Sequence, residues 1–110
     1  MVEKKALKAL NDAIELPLER EESGYASIQY GAFGEDGVTA ATGTVVVEVS
    51  NNGVEWYPLK LTKNDNTVVD NLLAAGIAQA FYAGYNAVRA RMSVIGGAQG
   101  VMVSLGMRST

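Results

Sequence analysis

The stretch "GTVVVEVSNNGVEWYPLKLT", residues 43–62, decides the fold class. Val45, Val47 and Val49 alternate with Val46, Glu48 and Ser50, the period of a half-buried strand. Asn52-Gly53 favours the positive φ of a tight reversal. The chain then returns through Trp56, Tyr57, Leu59 and Leu61. Pro58, which cannot donate to a ladder, marks the return as an edge or a bulge.

The same period recurs on both sides of this hairpin. Ile14, Leu16 and Leu18 alternate with Glu15, Pro17 and Glu19, and Pro17 again implies an edge strand, from Ala13 to Glu19. A charged turn, "EREESG", follows. In "GYASIQYGAF", Ala26, Ile28 and Tyr30 face one way and Ser27, Gln29 and Gly31 the other. "GEDGVTAATG" reads as an exposed loop. "TKNDNTVVDN" reads as a loop around a short Val68-Val69 strand. "LLAAGIAQAFYAGY" admits a short helix or a strand between Gly76 and Gly84. Val88, Ala90, Met92 and Val94 alternate with Arg89, Arg91 and Ser93. After the turn "IGGAQG", Val101, Val103, Leu105 and Met107 close the pattern. At the N-terminus, Leu7, Leu10 and Ile14 have helical spacing, which implies a short helix or an arm over about residues 2–11.

These elements predict an all-β fold, an antiparallel β-sandwich or jelly roll with a short N-terminal helix or arm. The domain organisation is an arm or helix over 1–12 and a sandwich over 13–110. A chain of 110 residues is one domain that buries roughly two thirds of its unfolded surface. Its 48% hydrophobic and 19% charged content argues against disorder.

Composition narrows the functional classes. Net charge is −3, which supplies no basic field for direct nucleic-acid binding. With no cysteine and no histidine, the usual ligands of zinc, haem and iron–sulfur sites are missing, and so are Ser-His and Cys-His nucleophiles. No cofactor or metal is expected. Calcium through "NDNTVVD" lacks the spacing and glycine of an EF-hand loop. Glu21 and Glu22 are adjacent in a turn and cannot flank one glycosidic bond. The chain is therefore expected not to be an enzyme. No segment has the length or apolarity of a membrane-spanning helix or a secretory signal, so neither a membrane nor export by that route is expected.

The order of the pieces resembles a group of small virion proteins of tailed bacteriophages. The likeness rests on "G-T-V-x-x-E-x-S-x-x-G-x-x-W", here Gly43, Thr44, Val45, Glu48, Ser50, Gly53 and Trp56, and on "G-Y-x-x-V-R-x-R", here Gly84, Tyr85, Val88, Arg89 and Arg91. It covers roughly residues 13–107. Relatives often carry Asp before the turn glycine, where this chain has Asn52. The resemblance implies a non-enzymatic structural protein of the virion, assembled in the host cytoplasm. It further implies a capsid decoration (cement) or head-fibre type, oligomeric and most simply a trimer. The partners would be the major capsid protein or neighbouring virion subunits. The alternatives are a tail or fibre module that binds a carbohydrate receptor, and a minor tail or connector adaptor.

Candidate residues follow. Leu7 and Leu10 on the arm, with Arg89 and Arg91 on one strand face, are candidates for a capsid or subunit interface. The arginines also have an intramolecular option in Glu48 or Glu55. Trp56 and Tyr57 are candidates for stacking on a ligand, against the plainer role of packing the hairpin.

Overall fold

The computed structural model describes residues 2–18, 23–83 and 85–109. The charged turn at 19–22 and Gly84 lie outside the described residues. Among the described residues ten strands run β1 (Val2–Leu7), β2 (Ala13–Pro17), β3 (Ser23–Tyr30), β4 (Thr44–Ser50), β5 (Tyr57–Pro58), β6 (Leu61–Lys63), β7 (Val68–Val69), β8 (Gly76–Ala83), β9 (Ala87–Val94) and β10 (Val101–Ser109). They form two antiparallel sheets, one ordered β1-β10-β3-β8-β6-β7 and one ordered β2-β9-β4-β5.

Alternation explains how the sheets meet. The larger sheet turns Leu7, Ala26, Ile28, Tyr30, Ala78, Ala80, Tyr82, Val101, Val103 and Leu105 inward, all buried. The smaller sheet contributes Ile14, Leu16, Val45, Val47, Val49, Val88, Ala90 and Met92 to the same apolar cluster. Removal of these side chains from water is the main favourable term holding the two sheets together. Buried hydroxyls still need partners, and Tyr30 Oη donates to the Gly43 carbonyl at 2.8 Å. The prolines sit where the missing N–H is tolerated: Pro17 ends β2 and Pro58 ends β5, the two edges of the smaller sheet.

Between β5 and β6 the chain changes sheets. Leu59 N–H still donates to the Val47 carbonyl, and by Thr62 the pairing partner is Gln79 of the larger sheet. The "NNG" turn is held by side chains. Ser50 Oγ accepts from Gly53 N–H, and Asn52 Oδ1 accepts from the N–H groups of Val54 and Glu55.

One expectation changes here and one open reading is decided. The N-terminal segment is not a helix: Val2–Leu7 is an edge strand paired with β10, from Val2 opposite Gly106 to Leu7 opposite Val101. Pairing satisfies the open edge of β10, and this long-range gain outweighs the local preference of a few Leu, Ala and Lys residues. Leu10 lies beyond the strand, in a turn where Asn11 takes a φ of 71°. Asp12 Oδ2 accepts from the N–H groups of Lys8 and Ala9 there. Within the ambiguous segment 72–85, Gly76–Ala83 is strand β8, paired with β3 and turning Ala78, Ala80 and Tyr82 into the core.

The loops 8–12, 31–43, 70–75 and 95–100 lie at the same end of the molecule, because Leu7 meets Val101, Tyr30 meets Gly76 and Thr44 meets Val94. Loops 8–12, 31–43 and 95–100 brace one another. Glu35 N–H donates to the Gln99 carbonyl, Gly97 N–H donates to Thr42 Oγ1, and Lys8 pairs with Glu35. Close approach requires glycine: a Cβ on Gly100, whose φ is +58°, would sit 2.1 Å from the Leu7 carbonyl oxygen.

Candidate functional site

Three surfaces hold chemistry-bearing residues. The first is the outer face of the smaller sheet. Register places Glu48 of β4 directly opposite Arg89 of β9, with Arg91 two residues on. Glu48 is 7% exposed. Its Oε1 accepts from Arg89 Nε at 2.9 Å and from Arg91 Nε at 2.8 Å, and its Oε2 accepts from an Arg91 terminal nitrogen at 3.2 Å. Arg91 reaches on to Asn11 Oδ1, which ties the β1–β2 loop to the same row. The Arg89 guanidinium lies 4.1 Å from the centroid of the Trp56 ring. A cation over the indole face is attractive at about 0.5–1 kcal/mol or more.

Burial pushes the Glu48 carboxyl up, but the hydrogen bonds and charges of Arg91 and Arg89 together outweigh it and hold the group below the ordinary glutamate range. The Arg91 guanidinium is raised, chiefly by its hydrogen bond to Glu48. A carboxylate held ionised with both oxygens engaged is poorly placed to accept or donate a catalytic proton. The row behaves as a clamp across β9, β4, the return segment at Trp56 and the β1–β2 loop.

The second surface is the loop end, where large apolar side chains face solvent. Leu10, Phe33, Val38, Leu73, Val94 and Ile95 are each more than half exposed. The bonds described above hold the loops of Leu10, Phe33, Val38 and Ile95, Leu72 beside Leu73 exchanges two N–H···O bonds with Val45, and Val94 ends β9, so the set forms one apolar rim.

The third is the outer face of the larger sheet. Tyr25 of β3 stands opposite Phe81 of β8, and their rings meet edge-on with centroids 5.6 Å apart. Beside them Ser27 pairs across to Gln79, and Gln79 to Thr62. Lys63 at the end of β6 and Asn64 and Asn66 of the β6–β7 turn lie along one side. Together with Lys60, Leu59 and Ile77 these residues enclose a groove of about 660 Å³. It continues as a shallower hollow of about 210 Å³ past Ile77 and Gln29 to Ser104 and Val2.

The sequence-derived candidates separate on this geometry. Leu7 is fully buried in the core of its own chain, whereas Leu10 is 54% exposed on the apolar rim. Arg89 and Arg91 come together on Glu48, the intramolecular partner, rather than standing as unpaired surface cations. Trp56 has a face covered by Arg89 and serves the clamp. Tyr57 is exposed, with its hydroxyl 3.4 Å from Glu55, beside a small hollow that Pro58 and Tyr85 also line. Sequence reasoning missed the Tyr25–Phe81 pair. The signal was present in the alternation, since Tyr25 shares parity with Ser27 and Gln29 and so had to face outward with them. Among the described residues, no three of the Asp and Glu side chains converge as metal ligands would.

No family model matches the chain, and no curated protein matches its sequence. Among solved structures it is similar to the SPBc2 prophage-derived protein YomS, with a TM-score of 0.60 at 10% sequence identity. The match covers 94% of this chain and 98% of that one. At that identity the likeness is one of fold: this chain and a prophage-derived protein share the same all-β architecture over almost their entire lengths.

Proposed function

We propose that the chain is a non-enzymatic bacteriophage structural protein, a jelly roll that docks on neighbouring virion proteins as a capsid decoration protein does. The jelly-roll reading is supported by strand order. Without the β6–β7 hairpin, the sheets read β1-β10-β3-β8 and β2-β9-β4-β5, and the chain passes from one sheet to the other at nearly every connection, as in two interlocked Greek keys. The phage context is supported by the near full-length likeness to a prophage-derived chain.

The observation that carries the docking role is the apolar rim of Leu10, Phe33, Val38, Leu73, Val94 and Ile95. A fixed set of solvent-facing apolar side chains on braced loops gains by covering, and a lattice of capsid subunits offers a repeated surface on which to cover it. The partner is the major capsid protein or a neighbouring virion subunit, and the protein acts as a homo-oligomer, a trimer in the simplest arrangement. The site of action is the virion.

Co-sedimentation with purified heads that lack this protein tests the reading. The wild-type chain is expected to pellet with heads, and a Phe33→Ser/Ile95→Ser variant of unchanged melting temperature to stay in the supernatant. A wild-type chain that remains soluble beside both heads and tails overturns it. Light scattering of the purified protein tests the trimer separately.

A further inference from the structure

We propose that the groove on the outer face of the larger sheet is a binding site for a carboxylate-bearing glycan, independent of the assembly role. The chain has twelve acidic residues and a net charge of −3. Yet the outward positions of this sheet carry none of those acids. They are Val2, Lys4 and Ala6 on β1, Met102, Ser104 and Gly106 on β10, and Ser23, Tyr25, Ser27 and Gln29 on β3. Beyond these come Ile77, Gln79, Phe81 and Ala83 on β8 and Thr62 on β6. The groove itself is lined by two lysines, Lys60 and Lys63, and by no carboxylate. Among the described residues, the outward strand positions of this sheet thus bear no carboxylate, and Lys60 and Lys63 on the groove complement an anion.

The remaining lining selects a saccharide over a simple anion. Tyr25 and Phe81 are 43% and 54% exposed, with Ile77 beside them at 42% and Ser27 and Gln79 between. Their edge-on contact fixes both rings and leaves apolar surface on which the C–H face of a pyranose can rest. Gln79, Asn64 and Asn66 each bring an amide with both donors and an acceptor, the combination that pairs with vicinal hydroxyls. Ser27 and Thr62 add hydroxyls between them. A few polar groups converging beside an apolar platform is the usual build of a small-ligand site, and about 660 Å³ is room for a short oligosaccharide. Lys60 also meets Asp70 in an exposed ion pair, which contributes little and yields to an incoming carboxylate. The shallower hollow past Gln29 and Ser104 extends the path, so a chain longer than the groove can lie across the strands.

The test is an array of uronate- and sialate-bearing glycans printed beside their neutral counterparts, followed by titration of the strongest binder. Binding to carboxylated members is expected, weaker for the matched neutral ones and weaker as salt is raised. Phe81→Ala is expected to lose about tenfold or more in affinity, equivalent to about 1.4 kcal/mol. Lys60→Gln/Lys63→Gln is expected to abolish the preference for the acidic glycan. Phe81 is exposed, so its variant should fold; Gln79→Ala is a second probe, and both are checked by melting temperature. A blank array overturns the proposal, and so does binding that survives both the Phe81 and Gln79 substitutions. An oligothymidylate that binds with the same dependence, while no glycan does, overturns it in favour of a stacked single strand. Phe81→Ala leaves the loop end intact, so head binding and glycan binding can fail separately.

Discussion

Replacing Glu48 by alanine asks the most of the structure. Glu48 is almost fully buried between two arginines whose side chains are 22% and 21% exposed. The substitution removes three charge-assisted hydrogen bonds and leaves two guanidinium groups side by side without their shared anion. Breaking a buried pair costs about 3–5 kcal/mol, most of it from the stranded charge. The residual exposure of the arginines lets water reach them, which places Glu48→Ala at the low end, about 3 kcal/mol. A domain of this size has about 5–15 kcal/mol in total, so the loss is a large fraction of it. At about 4–8 °C per kcal/mol, the melting temperature should fall by roughly 12–24 °C. Glu48→Gln keeps the shape and one acceptor and should cost less, about 1–2 kcal/mol. Urea unfolding with an unchanged m-value is the assay, because it separates lost stability from altered compactness. A Glu48→Ala loss below about 0.5 kcal/mol would refute the clamp, since that is the scale of an exposed surface pair.

Three further outcomes follow from the same geometry. Glu48 has a folded pKa below its ordinary value of 4.5, so its contribution is complete above that value and is lost as pH falls through the lower, folded one. Asp12, held low by the backbone N–H groups of Lys8 and Ala9, acts in the same direction. Urea stability should therefore decline on acidification below about pH 4.5, with a shallower decline in Glu48→Gln. Gly100→Ala forces a Cβ against the Leu7 carbonyl at a positive φ and should cost about 2 kcal/mol or more. Gly37→Ala, at φ +73° with open space around it, should cost only about 1 kcal/mol by the same thermal melts. Tyr30→Phe orphans the Gly43 carbonyl while keeping the ring, and about 1 kcal/mol is expected from denaturant curves.

Much of the architecture was legible because it is written in period-two alternation and in proline. Val45, Val47 and Val49 could only face a core together, and Pro17 and Pro58 both mark edges of the smaller sheet. What failed was local. Leu7 and Leu10 have helical spacing, but Leu7 ends a strand whose reason for existing is the open edge of β10, nearly a whole chain length away. The Ala-rich stretch at 76–83 carries little propensity of its own, and pairing with β3 decides it. The clamp was half visible: two arginines on one face invite a carboxylate, but only register selects Glu48 over Glu55. Trp56 stood between packing and stacking on a ligand because a sequence does not show which cation lies over a ring. The Tyr25–Phe81 groove needed strands far apart in sequence to become neighbours, and no local pattern announces that.

Quantitative mass spectrometry of purified virions tests the proposed place in a phage particle most directly. The chain should be present in a fixed ratio to the major head protein, and that ratio should survive repeated banding of the particles. A protein abundant in infected cells but absent from the banded virions would contradict the account.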